Sequence, residues 1–302
     1  MLPTGEQYEI ASGDVHAIVT EVGAGLRALT RGGRHLIETF DADVRPPRGM
    51  GAVLVPWPNR TAHGRWRWND ADQQLALTEP EAGNAIHGLL RVVLYRPGER
   101  TADAITLHAV VPQQPGWPVP LETSIRYAVD GGADGREGGL TVTHTVHNVG
   151  TGPVPFGIGA HPYLRAGDTP TDDCVLTVAT TTSIPLDGGL PTGPATPVTP
   201  ELDLRGGRKV QELQLDHAFG GVVPAEGDTL VRHRLAAADG TTELWADPVF
   251  GYAQVFTPPD LVGRGRAVAV EPMTCPPDAL NSGDGLITLA PGETWTGSWG
   301  IH

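Results

Sequence analysis

Glu271 lies between the apolar run Ala267 to Val270 and Pro272, at the head of the stretch EPMTCPPDALNSGDG, and a carboxylate in that setting is placed for proton chemistry. Proline cannot donate to a sheet ladder, so Pro272 is expected to end a strand and leave Glu271 at a rim. Apolar neighbours there would disfavour the charged carboxylate and raise its pKa, which is how a glutamate becomes a base near neutral pH. The plain alternative is a solvated glutamate at a strand end.

Of the 11 histidines, two stand in loops built for presentation. His87 in GNAIHGLLR is followed by Gly88, which lets a backbone approach a ligand closely. His161 in PFGIGAHPYL lies between glycines and Pro162, where the chain bends and the imidazole is expected at a rim. Arg60 in VPWPNRTAHGRW could clamp sugar hydroxyls or a carboxylate, though a lone arginine is more often a surface residue. Asp216 in QLDHAFGG is a further candidate, with a turn or helix cap as its ordinary role. His144 and His147 are three residues apart on one strand-like run and so point to opposite faces, which removes them as a metal pair. His16 and His108 fall inside strands and read as hydrogen-bonded structural residues.

These groups must be held by strands. Short apolar or alternating segments recur between Gly, Pro, Asn and Asp punctuation, among them HAIVTEV, AITLHAVV, GLTVTHTVHN, YAQVFT and RAVAVE. With no alternating helical segments to support parallel crossovers, the pattern predicts an all-β, large antiparallel sandwich. Only VQELQLDHAF has room for a helical turn, and ALNSGDG reads as a turn. Residues 185–208, rich in Pro and Gly, read as a long ordered loop over one face. No repeat and no separating linker is visible, so the expectation is one domain over residues 1–302.

Composition narrows the partners. A net charge of -14 argues against a nucleic-acid surface and favours neutral or cationic ligands. The single lysine, Lys209, lies in a polar Arg-Gly-Gly-Arg-Lys run with nothing to desolvate it, which speaks against Schiff-base chemistry. Cys174 and Cys275 show no zinc-type spacing, so no metal is expected. Neither a basic leader with an apolar core nor a membrane-length apolar run is present, and the expected location is cytoplasmic.

Taken together, PWPNRTAHGRW, NAIHGLLR, GAHPYL, LDHAF, YAQVFTPP, AVEPMTCPPDALNSGDG and the closing LAPGETWTGSW resemble, in order, the aldose 1-epimerase (galactose mutarotase) family. The resemblance runs from about residue 10 to the C-terminus. It implies a galactose mutarotase-like super-β-sandwich acting on a small aldose without a cofactor, as a monomer or homodimer. By motif, Glu271 matches the catalytic base and His161 the catalytic acid. Asn59, Arg60, His87, Asp216 and Gln254 match positions that hold sugar hydroxyls and the ring oxygen, and Tyr163 is the aromatic that follows the acid. Ala160 and Gly88-Leu89 depart from the Asn and Gly-Gly usual in galactose enzymes, which puts galactose in doubt as the preferred sugar.

The implied reaction interconverts α and β anomers of a free aldohexose by opening and reclosing the ring. It needs an ionised base and a protonated acid, hence a bell-shaped pH dependence around neutrality. The alternatives are a hexose-6-phosphate 1-epimerase of the same fold, using Arg60, Arg65 and Arg91, a non-catalytic carbohydrate-binding protein, and a glycosidase pairing Asp216 with Glu271.

Overall fold

The computed structural model describes residues 2–133 and 137–302. Two large antiparallel sheets dominate it, one of nine strands and one of eight, with a four-stranded sheet formed by the N-terminal segment. The nine-stranded sheet contains the long strands Ala104–Val111, Leu121–Asp130, Gly139–Asn148 and Thr294–Ile301. Their alternation is strict: in Leu121–Asp130, Leu121, Thr123, Ile125, Tyr127 and Val129 are buried while their neighbours face outward. Period-2 patterning of this kind commits one face to the core and leaves the other to solvent. The expected all-β class with large antiparallel sheets is therefore the observed one.

The eight-stranded sheet carries the candidate chemistry. Its central ladder sets Asp216–Gly220 beside Tyr252–Phe256, and the latter beside Val268–Met273. Gln254 lies directly opposite Glu271, and Asp216 opposite Phe256, so these side chains share one face. Val255, Val268 and Val270 occupy the other face and are buried in the main core.

One sequence expectation is corrected here. Pro272 does not end the strand, which continues through Met273, and Glu271 is a buried residue inside it and not a rim group. The reason lies in the neighbouring strand, which is broken into Gly159–Ala160 and Tyr163–Leu164. Val270 N–H donates across this side to Pro162 O at 3.3 Å and Thr274 N–H to Ile158 O at 2.8 Å. The nitrogen of Pro272 falls between them and faces the break, where no ladder bond is lost. The same break carries His161, which is likewise buried and not presented at a rim.

Two smaller readings also shift. ALNSGDG contains a single helical turn, Ala279–Ser282, whereas Val210–Glu212 is the short helical turn anticipated in VQELQLDHAF. His16 and His108 are exposed on their strands, and the buried structural imidazoles are His144 and His233. His144 accepts a hydrogen bond from Trp299 Nε1 at 2.9 Å while His147 faces the opposite side, as alternation requires.

Candidate active site

Segments far apart in the chain converge on a cleft of about 410 Å³ lined by Asn59, Arg60, His87, His161, Asp216, Gln254 and Glu271, among others. The segment Val55–Arg60 is anchored by Trp57, which is fully buried and stacks on Trp117 at 5.9 Å, with Trp66 5.4 Å from Trp117. Aromatic clusters of this kind contribute several kcal/mol each by burial and fix the segment that follows.

Immediately after this anchor, Asn59 adopts φ 56° and, across from it, His87 adopts φ 61°. Non-glycine residues rarely take such values without support. Here the support is mutual: His87 N–H donates to Asn59 O at 2.8 Å, and Asn59 N–H donates to His87 Nδ1 at 3.1 Å. Accepting at Nδ1 leaves the proton of the neutral ring on Nε2, so His87 is set as a donor. Gly88, at φ 73°, lets the chain pass under Val55, and a Cβ there would lie 2.0 Å from Val55 O.

The polar wall is a relay of amides. Asn59 Oδ1 accepts from Arg60 N–H at 2.9 Å, Asn59 Nδ2 donates to Gln254 Oε1 at 3.2 Å, and Gln254 Nε2 donates to Asp216 Oδ1 at 2.7 Å. Each buried amide is thus locked in one orientation. Arg60 is held by Glu79 in a fork, Nε at 2.7 Å and Nη2 at 2.8 Å, which raises the pKa of Arg60 and lowers that of Glu79. Gly189 of the long 185–208 loop packs on the same guanidinium, where a Cβ would come within 2.3 Å of Nη1.

His161 Nε2 lies 3.4 Å from Glu271 Oε1, with the two residues only 5% and 2% exposed. The imidazole is backed by Tyr163, stacked at 5.1 Å and 18°, and by Gly49, and it meets the edge of His87 at 5.6 Å. Tyr163 donates its hydroxyl to Arg48 O at 3.1 Å and stands behind His161, outside the cleft lining. Burial, reinforced by the Asp216 charge and opposed by Arg60, pushes the Glu271 carboxyl well above the usual carboxylate range. Burial, with the Arg91 charge adding to it, lowers His161 to about 4. These directions oppose the ionised-base, protonated-acid state expected from the sequence. Both directions favour a proton kept on the carboxyl beside a neutral imidazole.

The structure thus brings together Glu271, His161, His87, Asn59, Arg60, Asp216 and Gln254. Arg65 lies apart, donating to Gln74 Oε1 at 3.3 Å. Arg48, Glu79 and Phe256 also line the cleft, together with Arg91. No local pattern marks Glu79 or Arg48; only the packing brings them in. Ligand atoms of His87, His161 and Glu271 lie within 4.8 Å of one another, close enough for a metal ion. Coordination would have to displace the proton that His87 keeps on Nε2, so the trio suits an organic ligand better.

A family model described as aldose 1-epimerase matches residues 6–302, and the chain belongs to that family. It is 33% identical over 298 residues to the uncharacterized protein YihR of Escherichia coli (strain K12), covering 96% of this chain and 91% of that one. Among solved structures it resembles a galactose mutarotase-like protein from Clostridium acetobutylicum, with a TM-score of 0.84 and 19% identity over 97% and 94% of the two chains. It also resembles galactose 1-epimerase from Lactobacillus acidophilus NCFM, with a TM-score of 0.73 and 18% identity over 96% and 91%. Among the described residues, no helix is long and apolar enough to cross a membrane.

Proposed function

We propose that this protein is an aldose 1-epimerase that interconverts the α and β anomers of an aldohexose, with Glu271 as base and His161 as acid. The observation that carries this reading is the pair itself: a buried imidazole and carboxyl 3.4 Å apart at the floor of a polar cleft. The reaction acts on two oxygens bonded to one carbon, the C1 hydroxyl and the ring oxygen. Two proton carriers this close can address both.

In ring opening the proton of the pair first passes from Glu271 to His161; the carboxylate then takes the hydroxyl proton and the imidazolium gives one to the ring oxygen, so the bond from C1 to that oxygen breaks and an aldehyde forms. The pair then holds a protonated carboxyl and a neutral imidazole. That is the proton distribution the site itself favours. Opening therefore returns the pair to its favoured distribution, which offsets the cost of first moving the proton to the imidazole. Rotation about C1–C2 followed by the reverse transfers delivers the other anomer. Asn59, Gln254, Asp216 and His87 supply the orienting donors and acceptors, and Arg60, braced by Glu79, sets the field.

The test is exchange NMR at C1 over a panel of aldoses. Catalysed exchange between anomers is expected. Binding without exchange would instead mark a carbohydrate-binding protein and overturn the reading, and release of sugar from an aryl glycoside would mark a glycosidase.

A further inference from the structure

Two arginines of the cleft have no part in the proton transfers. Arg48 and Arg91 both line it, and neither makes an ion pair among the described residues. Arg91 is half-buried, spends one N–H on Ile86 O at 3.3 Å, and is the more easily deprotonated for its burial. Glu79, the carboxylate whose charge it senses, is taken up by the fork of Arg60. Arg48 is exposed at the mouth, and Asp260, on which it acts through space, is engaged by the N–H groups of Gly263 and Gly265. A half-buried guanidinium without a counter-charge is costly to keep, and a fork-shaped donor set is suited to an oxyanion.

Position decides which part of a sugar these groups meet. Arg48 precedes Gly49, where a Cβ would lie 3.1 Å from His161 Cδ2, and its carbonyl holds Tyr163 behind the same ring. Arg91 acts on both His161 and His87. The backbone at Arg48 therefore lies against His161 and the charge of Arg91 bears on the same ring, whereas the carboxylate of Asp216 lies at the far end of the amide relay. On the epimerase reading, on which this inference rests, His161 faces the ring oxygen. That oxygen is bonded to C5, and C5 carries C6. The exocyclic end of the sugar thus leaves the ring on the arginine side. We infer that the preferred substrate is an aldose with an anionic group at C6, held between Arg48 and Arg91. The overall charge of -14 gives no general attraction for anions, so the selection is local to the cleft.

Exchange NMR at C1 with glucose, glucuronate, glucose 6-phosphate and glucose 6-sulfate, at low and high ionic strength, tests this and separates the anion types. At least one anionic sugar is expected to exceed glucose in kcat/KM by about tenfold or more, an advantage that shrinks with salt. Arg48→Gln and Arg91→Gln are each expected to lower the anionic-to-neutral ratio, chiefly through KM. Arg48 is exposed, so its variant reports even if the Arg91 variant folds poorly. Glucose turned over as well as or better than all three anions would overturn this inference while leaving the epimerase reading in place, as would a ratio unchanged in the Arg48 variant. No exchange with any sugar would overturn the epimerase reading and this inference with it.

Discussion

At the scale of single residues, the proton pair makes sharp demands. Glu271→Gln and His161→Asn are each expected to lower kcat by about 10²- to 10⁴-fold in exchange NMR, with unchanged far-ultraviolet circular dichroism. Activity needs one proton in the pair. Below about 4, His161 gains a second proton and Glu271 has no free valence to accept one; above the raised pKa of Glu271 no proton is left for the ring oxygen. A bell-shaped profile of kcat/KM is expected, with its acid limb near 4 and its alkaline limb well above an ordinary carboxylate. On the alkaline side stability falls together with activity. The folded pKa of Glu271 lies above its unfolded value, so its contribution is fully present below the unfolded pKa and is lost as pH rises through the folded one. Glu271→Gln removes that loss, and its Tm at alkaline pH is expected to match or exceed the wild type. The types of Glu271, His87 and His161, and the irregular settings of the two histidines, are legible in the sequence. Their protonation is not, because it depends on burial and on charges brought from distant segments.

At the scale of elements, the site depends on places where regular structure is interrupted. The Gly159–Ala160 and Tyr163–Leu164 strands break at His161-Pro162, opposite Glu271-Pro272. Proline in the sequence was a sound marker of irregularity, but it signalled a gap in the neighbouring strand and not the end of its own. Pairing partners far apart in the chain decide such a point. The left-handed turn at His87-Gly88 is a second interruption. Gly88→Ala would bring a Cβ against Val55 O at a residue already at φ 73°. The expected cost is on the order of 1–3 kcal/mol or more, read as a lower urea midpoint, with a raised KM because His87 shifts with the turn. Unchanged stability and KM would show that the turn relaxes freely. The 185–208 stretch carries the short strand pair Leu186–Asp187 and Leu190–Pro191, and Gly189 between them packs on Arg60, a contact no local pattern encodes.

At the scale of the whole molecule, buried imidazoles tie the sandwich to pH. His144, lowered to about 3, and His233, lowered to about 4, are both neutral in the fold because burial disfavours their charged forms. The unfolded chain takes up protons below 6.5 that the folded one refuses, so stability is full above that pH and falls as pH drops toward those values. Each group costs on the order of 1.4 kcal/mol per pH unit across its window. The urea midpoint is expected to fall steadily below pH 6.5, and a flat profile would refute the assignment. By itself the sequence determined the all-β class, the family and the candidate set, because strand alternation and the ordered motifs are local properties of the chain. The tertiary structure alone decided that Glu271 is buried, that Glu79 braces Arg60, and that Arg48 and Arg91 share a cleft with His161. Desolvation and ion pairing are properties of residues brought together across the fold, and no local pattern encodes them.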